Sequence, residues 1–130
     1  MVFGMKFTLE SDRSVNVVRA YAPGRIKVGG REYASSVILT PERIIPDWTP
    51  AVIADLTAAH LDEVLAVEPD IVLLGTGARL RFPAPELLAG VLGRGIGIEC
   101  MDTRAACRTY NVLVHEGRRV AAALLISSEG

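Results

Sequence analysis

The sequence is poor in the residues from which readily named sites are built. In 130 residues it has two cysteines (Cys100, Cys107), two histidines (His60, His115) and two lysines (Lys6, Lys27). The cysteines stand seven apart with no Cys-x-x-Cys, so there is no dithiol redox motif and no disulfide framework. Neither histidine has thiols or clustered carboxylates at metal-ligand spacing, so no metal site is expected. The longest apolar run, residues 120–126 (VAAALLI), falls far short of the roughly 20 residues a bilayer-spanning helix needs. The opening MVFGMKFTLESD has neither a basic cluster nor a sustained apolar stretch. No signal peptide and no membrane insertion are therefore expected, and the location expected is cytoplasmic. A positive excess is lacking as well. Fourteen Lys plus Arg against fifteen Asp plus Glu leave −1, which argues against bulk nucleic-acid or membrane-surface binding.

What is present is core-forming material. Half the residues are apolar, 22% are charged, and the mean hydropathy is +0.32. That composition builds a globular core without staples. No repeat, linker or low-complexity stretch interrupts the chain, and a single domain over residues 1–130 is expected. Its character changes near residue 50. Residues 1–50 carry short β-prone runs at 14–21, 25–28, 33–39 and 44–45, divided by Pro23-Gly24, Gly29-Gly30 and Thr40-Pro41. Gly29-Gly30 between two such runs reads as a hairpin turn, and this part should be mainly antiparallel.

Residues 51–130 read as an α/β part. Thr57 can cap a helix reaching about residue 68, with Leu61, Val64 and Leu65 on its apolar stripe. Strands are expected at 70–74, 96–101 and 120–126. Between them lie a helix opened by Pro85 and stopped near Gly93, and a helix over 103–116 capped by Asp102 or Thr103 and closed by Gly117. Strands joined by helical crossovers are parallel and covered on both faces, which makes a C-terminal βαβαβ unit of an α/β fold.

Helix 103–116 carries an unusual charge pattern. Arg104, Arg108, Asn111 and His115 follow i, i+4, i+7 and i+11, a polar stripe opposite the expected core stripe of Ala106, Cys107, Tyr110, Leu113 and Val114. Arg104 and Arg108 repel each other and occupy the positive half of the helix dipole. That conflict calls for something negative: an internal acid (Glu99, Asp102 or Glu116), a bound anion, or an acidic patch on a partner. Arg79 and Arg81 follow the turn Gly75-Thr76-Gly77 at the end of a parallel strand, where open α/β sheets place ligands. With Asp102 and Arg104 they suggest an anion-recognising crevice. Residues 76–119 hold seven arginines and four acids, a local +3 inside the overall −1.

Other motifs are incomplete. The glycine turn lacks a third glycine, since Leu80 stands there, and Pro83 and Pro85 delay the helix, so no dinucleotide cofactor is expected. Cys107 lies eight residues from His115, roughly 12 Å along a helix, too far for a nucleophile–base pair. His115-Glu116-Gly117 does not continue to a second histidine. Trp48, between Pro46 and Pro50, either anchors a partner from a loop or fills a gap beneath it.

Residues 95–126 read GIGIECMDTRAACRTYNVLVHEGRRVAAALLI. Gly95, Glu99, Asp102, Thr103, Ala106, Cys107, Asn111, Leu113, His115, Glu116, Gly117, Arg118, Ala122, Ala123 and Leu124 resemble the signature of a family of small uncharacterised prokaryotic proteins, as does LLGTG at 73–77. Eukaryotic relatives of that family include a mitochondrial assembly factor for respiratory complex I. The resemblance implies a compact three-layer Mth-type fold, β+α/β/α, with a mixed central sheet. It brings no catalytic residues. The function expected is a non-enzymatic, assembly-factor-like domain that binds a partner protein, with a small anionic ligand at the crevice as the alternative.

Overall fold

The computed structural model describes residues 15–127, so the expected strand at 14–21 lies partly outside them. Three strands, β1 (Val18–Ala22), β2 (Arg25–Val28) and β3 (Arg31–Tyr33), form a small antiparallel sheet. Gly29-Gly30 makes the two-residue turn between β2 and β3, with Val28 opposite Arg31, as expected. The β-prone run 33–39 does not stay in one strand. The chain leaves the small sheet at Ala34–Ser36 and enters a second sheet as β4 (Val37–Leu39), followed by β5 (Ile44–Ile45). Buried Ser36 fixes this change of sheet: its Oγ accepts from the Ile126 N–H at 2.9 Å, and its carbonyl accepts from the Trp48 N–H at 2.9 Å.

The rest of the chain alternates helix and strand. A short 3₁₀ turn (Ile53–Asp55) leads to α1 (Ala58–Leu65), β6 (Ile71–Gly75), α2 (Pro85–Leu92), β7 (Gly97–Met101), α3 (Thr103–His115) and β8 (Val120–Leu124). α1 begins where Thr57 caps it, and the cap is reciprocal. The His60 N–H donates to Thr57 Oγ1, and the Thr57 N–H donates to His60 Nδ1 at 3.0 Å. α1 ends at Leu65, earlier than the expected residue 68. Glu68 is forced to φ +60° ahead of Pro69, outside helical geometry.

β6 lies between β7 and β8, parallel to both, and β4 and β5 extend the sheet antiparallel in the order β5-β4-β8-β6-β7. Side chains alternate across it. Leu73, Ala122 and Leu124 pack beneath α3 and the small sheet, together with Ala106, Cys107 and Tyr110. Val72, Leu74, Ala121 and Ala123 pack on the other side beneath α1, α2 and Trp48. The result is the expected three-layer α/β arrangement, helix plus small sheet over a mixed sheet over two helices. Trp48 is 4% exposed and meets the His60 ring edge-on at 6.3 Å, so it fills space beneath its loop.

Candidate functional site

The turn after β6 is locked to the start of α3. Thr103 Oγ1 accepts from the Gly77 N–H at 2.8 Å and donates to the Leu125 carbonyl at 2.9 Å. The Thr103 N–H donates to the Gly77 carbonyl at 2.8 Å, and the Thr76 N–H to the Met101 carbonyl at 2.9 Å. Gly77 has φ +109°, which an L side chain rarely adopts. At Gly75 a Cβ would lie 3.0 Å from Thr103 Oγ1 and 3.1 Å from its Cα, so glycine is required by close approach. Both turn N–H groups are thus already spent, and neither is offered to a phosphate.

Beyond the turn, Thr76 Oγ1 donates to the Arg79 carbonyl at 2.7 Å and accepts from the Arg81 N–H at 3.1 Å. This stiffens a loop whose side chains point outward. Arg79 and Arg81 are exposed, and so are Leu80 (49%) and Phe82 (69%). Arg79 and Arg81 have no ion pair among the described residues. The apolar pair was not singled out by the sequence reading. Its signal was there, since Leu80 and Phe82 interrupt a loop made otherwise of polar, small and proline residues.

Along α3 two members of the polar stripe, Arg104 and Asn111, meet β1, while Arg108 and His115 are exposed. Asp102 is the N-cap, its Oδ1 accepting from the Ala105 N–H at 2.9 Å. The Arg104 guanidinium sits 5.0 Å from the centre of the Tyr21 ring, so among the described residues its compensating partner is a π face and it has no ion pair with an acid. Asn111 grips β1 at both ends of its amide: Oδ1 accepts from the Val18 N–H and Nδ2 donates to the Val18 carbonyl, each at 2.9 Å. Tyr110 donates to the Asn16 carbonyl at 2.8 Å. Arg108, between these, is exposed and has no ion pair among the described residues. His115 is exposed in the last turn. It lies eleven residues from Arg104, roughly 16 Å along the axis, so the stripe does not converge on one point.

Among the described residues, two concavities stand out beside the sheet. A crevice of about 260 Å³ near the turn is lined by residues 51–54, Thr76, Gly77, Arg81 and Ser127; Arg79, Asp102 and Arg104 are not part of its wall. A larger cleft of about 690 Å³ lies at the other end, where α1 and α3 finish. It combines Arg43, Arg118 and Arg119 with Glu42 and Glu68, so its charges largely offset each other. Arg119 donates to the Glu68 carbonyl at 2.8 Å.

Burial, with the Asp102 charge second, pushes the Cys107 thiol up to about 12. At pH 8 that leaves on the order of 10³-fold less thiolate than an ordinary cysteine has. Iodoacetamide should accordingly spare Cys107 in the native protein and label it rapidly in denaturant, with the modified peptide read by mass spectrometry. The sign of the linkage also follows. The unfolded thiol ionises first, so this group's contribution is intact below about pH 8.5 and is lost as pH rises towards 12. The Tyr110 hydroxyl, raised by burial and then by Glu42, acts in the same direction.

These features define a three-layer α/β domain of the Mth938-like kind. A solution structure from Bordetella pertussis, described as a Mth938-like domain, shares the fold with a TM-score of 0.78 and 33% identity, covering 90% of this chain and 91% of that one. A crystal structure from Bordetella parapertussis gives 0.82 and 39%, covering 88% and 98%. The chain belongs to the family described as protein of unknown function (DUF498/DUF598), matched over residues 18–125. The family resemblance read from residues 95–126 therefore holds across the domain. Its relatives include the "13 kDa major membrane protein" of Francisella tularensis, 30% identical over 109 residues, 82% of this chain and 88% of that protein. The bovine "NADH dehydrogenase [ubiquinone] 1 alpha subcomplex assembly factor 3" is 33% identical over 110 residues, 83% of this chain but 59% of the bovine protein. Among the described residues no helix is long and apolar enough to cross a membrane.

Proposed function

We propose that this protein is a non-catalytic binding module of assembly-factor type, acting in the cytoplasm, and that it presents loop 79–82 to a partner protein. The observation that carries this is the exposure of Phe82 (69%) and Leu80 (49%) on a loop held stiff by Thr76. Aromatic residues beside arginines are the composition of binding hot spots, and a pre-ordered loop loses little entropy on docking. The relation to an assembly factor supports the reading. Affinity capture from native lysate, quantified by mass spectrometry, tests it with two folded variants. Phe82→Ser combined with Arg81→Glu should lower recovery of the partner at least tenfold, and Arg108→Glu should leave it unchanged. The reverse pattern would move the surface to α3 and overturn the assignment.

The alternative, a small anionic ligand, rests on the crevice that holds Arg81. Recovery of no partner, together with a melting shift on adding short-chain carboxylates that Arg81→Ala abolishes, would favour it.

A further inference from the structure

Each outer strand of a sheet carries unpaired N–H and C=O groups, and proteins usually blunt them. The two sheets have four such edges among the described residues, and three of them are blunted. β5 has two residues and is followed by Pro46. β3 has three, with Arg31 and Glu32 exposed. β1 has an irregular register between Val18 and Ala20, and Asn111 already occupies the Val18 backbone. β7 is different. It has five residues in unbroken register with β6, no proline or lysine, and one charge, Glu99. Its other four residues are half-buried although, among the described residues, the strand has a neighbour on one side only.

We infer that β7 is the self-association surface of this protein, joining two copies antiparallel about a two-fold axis at Ile98. The backbone is suitably oriented. The Gly97 N–H donates back to the Asp70 carbonyl at 3.3 Å, and the Met101 carbonyl accepts from the Thr76 N–H at 2.9 Å, so the odd-numbered residues bond towards β6. By alternation Ile98 and Cys100 turn their N–H and C=O groups to the open edge.

Charge selects the register. An axis at Glu99 sets that carboxylate opposite its own copy, which is unfavourable. An axis at Cys100 sets Ile98 opposite Asp102, the cap of α3. An axis at Ile98 pairs Ile98 with itself in the apolar layer and places Glu99 opposite Gly97, which has no side chain to oppose it. The same two-fold brings the two α2 helices side by side on one face of a continuous ten-stranded sheet. α2 packs on β7 and carries Leu92, 57% exposed, which gives the pair apolar surface to bury beyond the strands.

Gly97 supplies the test, because a Cβ there meets only Ile71 Cγ1, at 3.7 Å, and its φ is not among the positive ones. A Cβ at 97 therefore fits the monomer at ordinary van der Waals distance, and Glu and Lys variants are expected to stay folded, which circular dichroism checks. Sedimentation equilibrium should find the wild type dimerising in the micromolar range. Gly97→Glu opposes two carboxylate pairs per dimer and should raise the dimer Kd at least tenfold; Gly97→Lys creates two opposite-charge pairs and should lower it severalfold. In a Cys100→Ser background, Ile98→Cys should oxidise to a covalent dimer, since paired Cα atoms about 5.5 Å apart lie within disulfide reach. A wild type that stays monomeric at 200 µM would overturn the inference. So would a dimer whose Kd moves the same way, or not at all, with both charges at 97.

Discussion

Thr103→Val should lower the stability of the fold by about 2–4 kcal/mol, although it replaces a hydroxyl by a methyl of nearly the same size. Thr103 is 1% exposed, and its Oγ1 is both acceptor for the Gly77 N–H and donor to the Leu125 carbonyl. Valine leaves both groups desolvated without a partner, and each such orphan costs about 1–3 kcal/mol. In a domain of this size the loss corresponds to a fall in Tm of about 10 °C, measurable by calorimetry. Thr103→Ser keeps both bonds and should cost about 1 kcal/mol, the contribution of a buried methyl. Equal losses for the two variants would show that packing, not the hydroxyl, ties the turn to α3.

Asn111→Ala should cost about 2–3 kcal/mol, one hydrogen bond at each end of the amide. This loss has a location. The Val18 N–H and carbonyl are both released, while β6 and β8 keep all their partners. Native-state hydrogen exchange should speed up in β1 and β2 and leave the central parallel strands unchanged. Asn111→Asp is a sharper test. It keeps an acceptor for the Val18 N–H but sets a carboxylate oxygen against the Val18 carbonyl, so it should not rescue stability. Uniform loss of protection across both sheets would refute the view that Asn111 acts as the clamp of the small sheet.

Asn111 also illustrates where sequence reasoning stopped. Its spacing from Arg104 and Arg108 identified one polar stripe on α3, and the stripe exists. A helical wheel, however, gives the angle of a side chain about its own axis and nothing of what stands at that angle. The small sheet packs along this side of α3, so Arg104 meets the Tyr21 ring and Asn111 meets the Val18 backbone. The tyrosine and the valine lie more than eighty residues upstream, beyond any local periodicity. The run 33–39 shows the same limit. Its β-prone residues marked strand, but which sheet each part joins was decided by contacts of Ser36, among them its bond from the Ile126 N–H near the C-terminus. Leu80 and Phe82 could have been found from composition alone, as large apolar side chains in a loop.

The sequence by itself determined the local elements and their order. Apolar periods of two and 3.6, together with Thr57, Pro85, Asp102 and the glycine turns, mark where strands and helices begin and end, because these signals act over a few residues. Helical crossovers then require β6, β7 and β8 to be parallel. Tertiary structure alone decided which strand occupies the centre, which edge stays open, and which polar side chains are consumed within the fold. Those outcomes depend on pairings between residues far apart in the chain, and they were settled by how apolar surface is buried and backbone groups are satisfied over the whole domain at once.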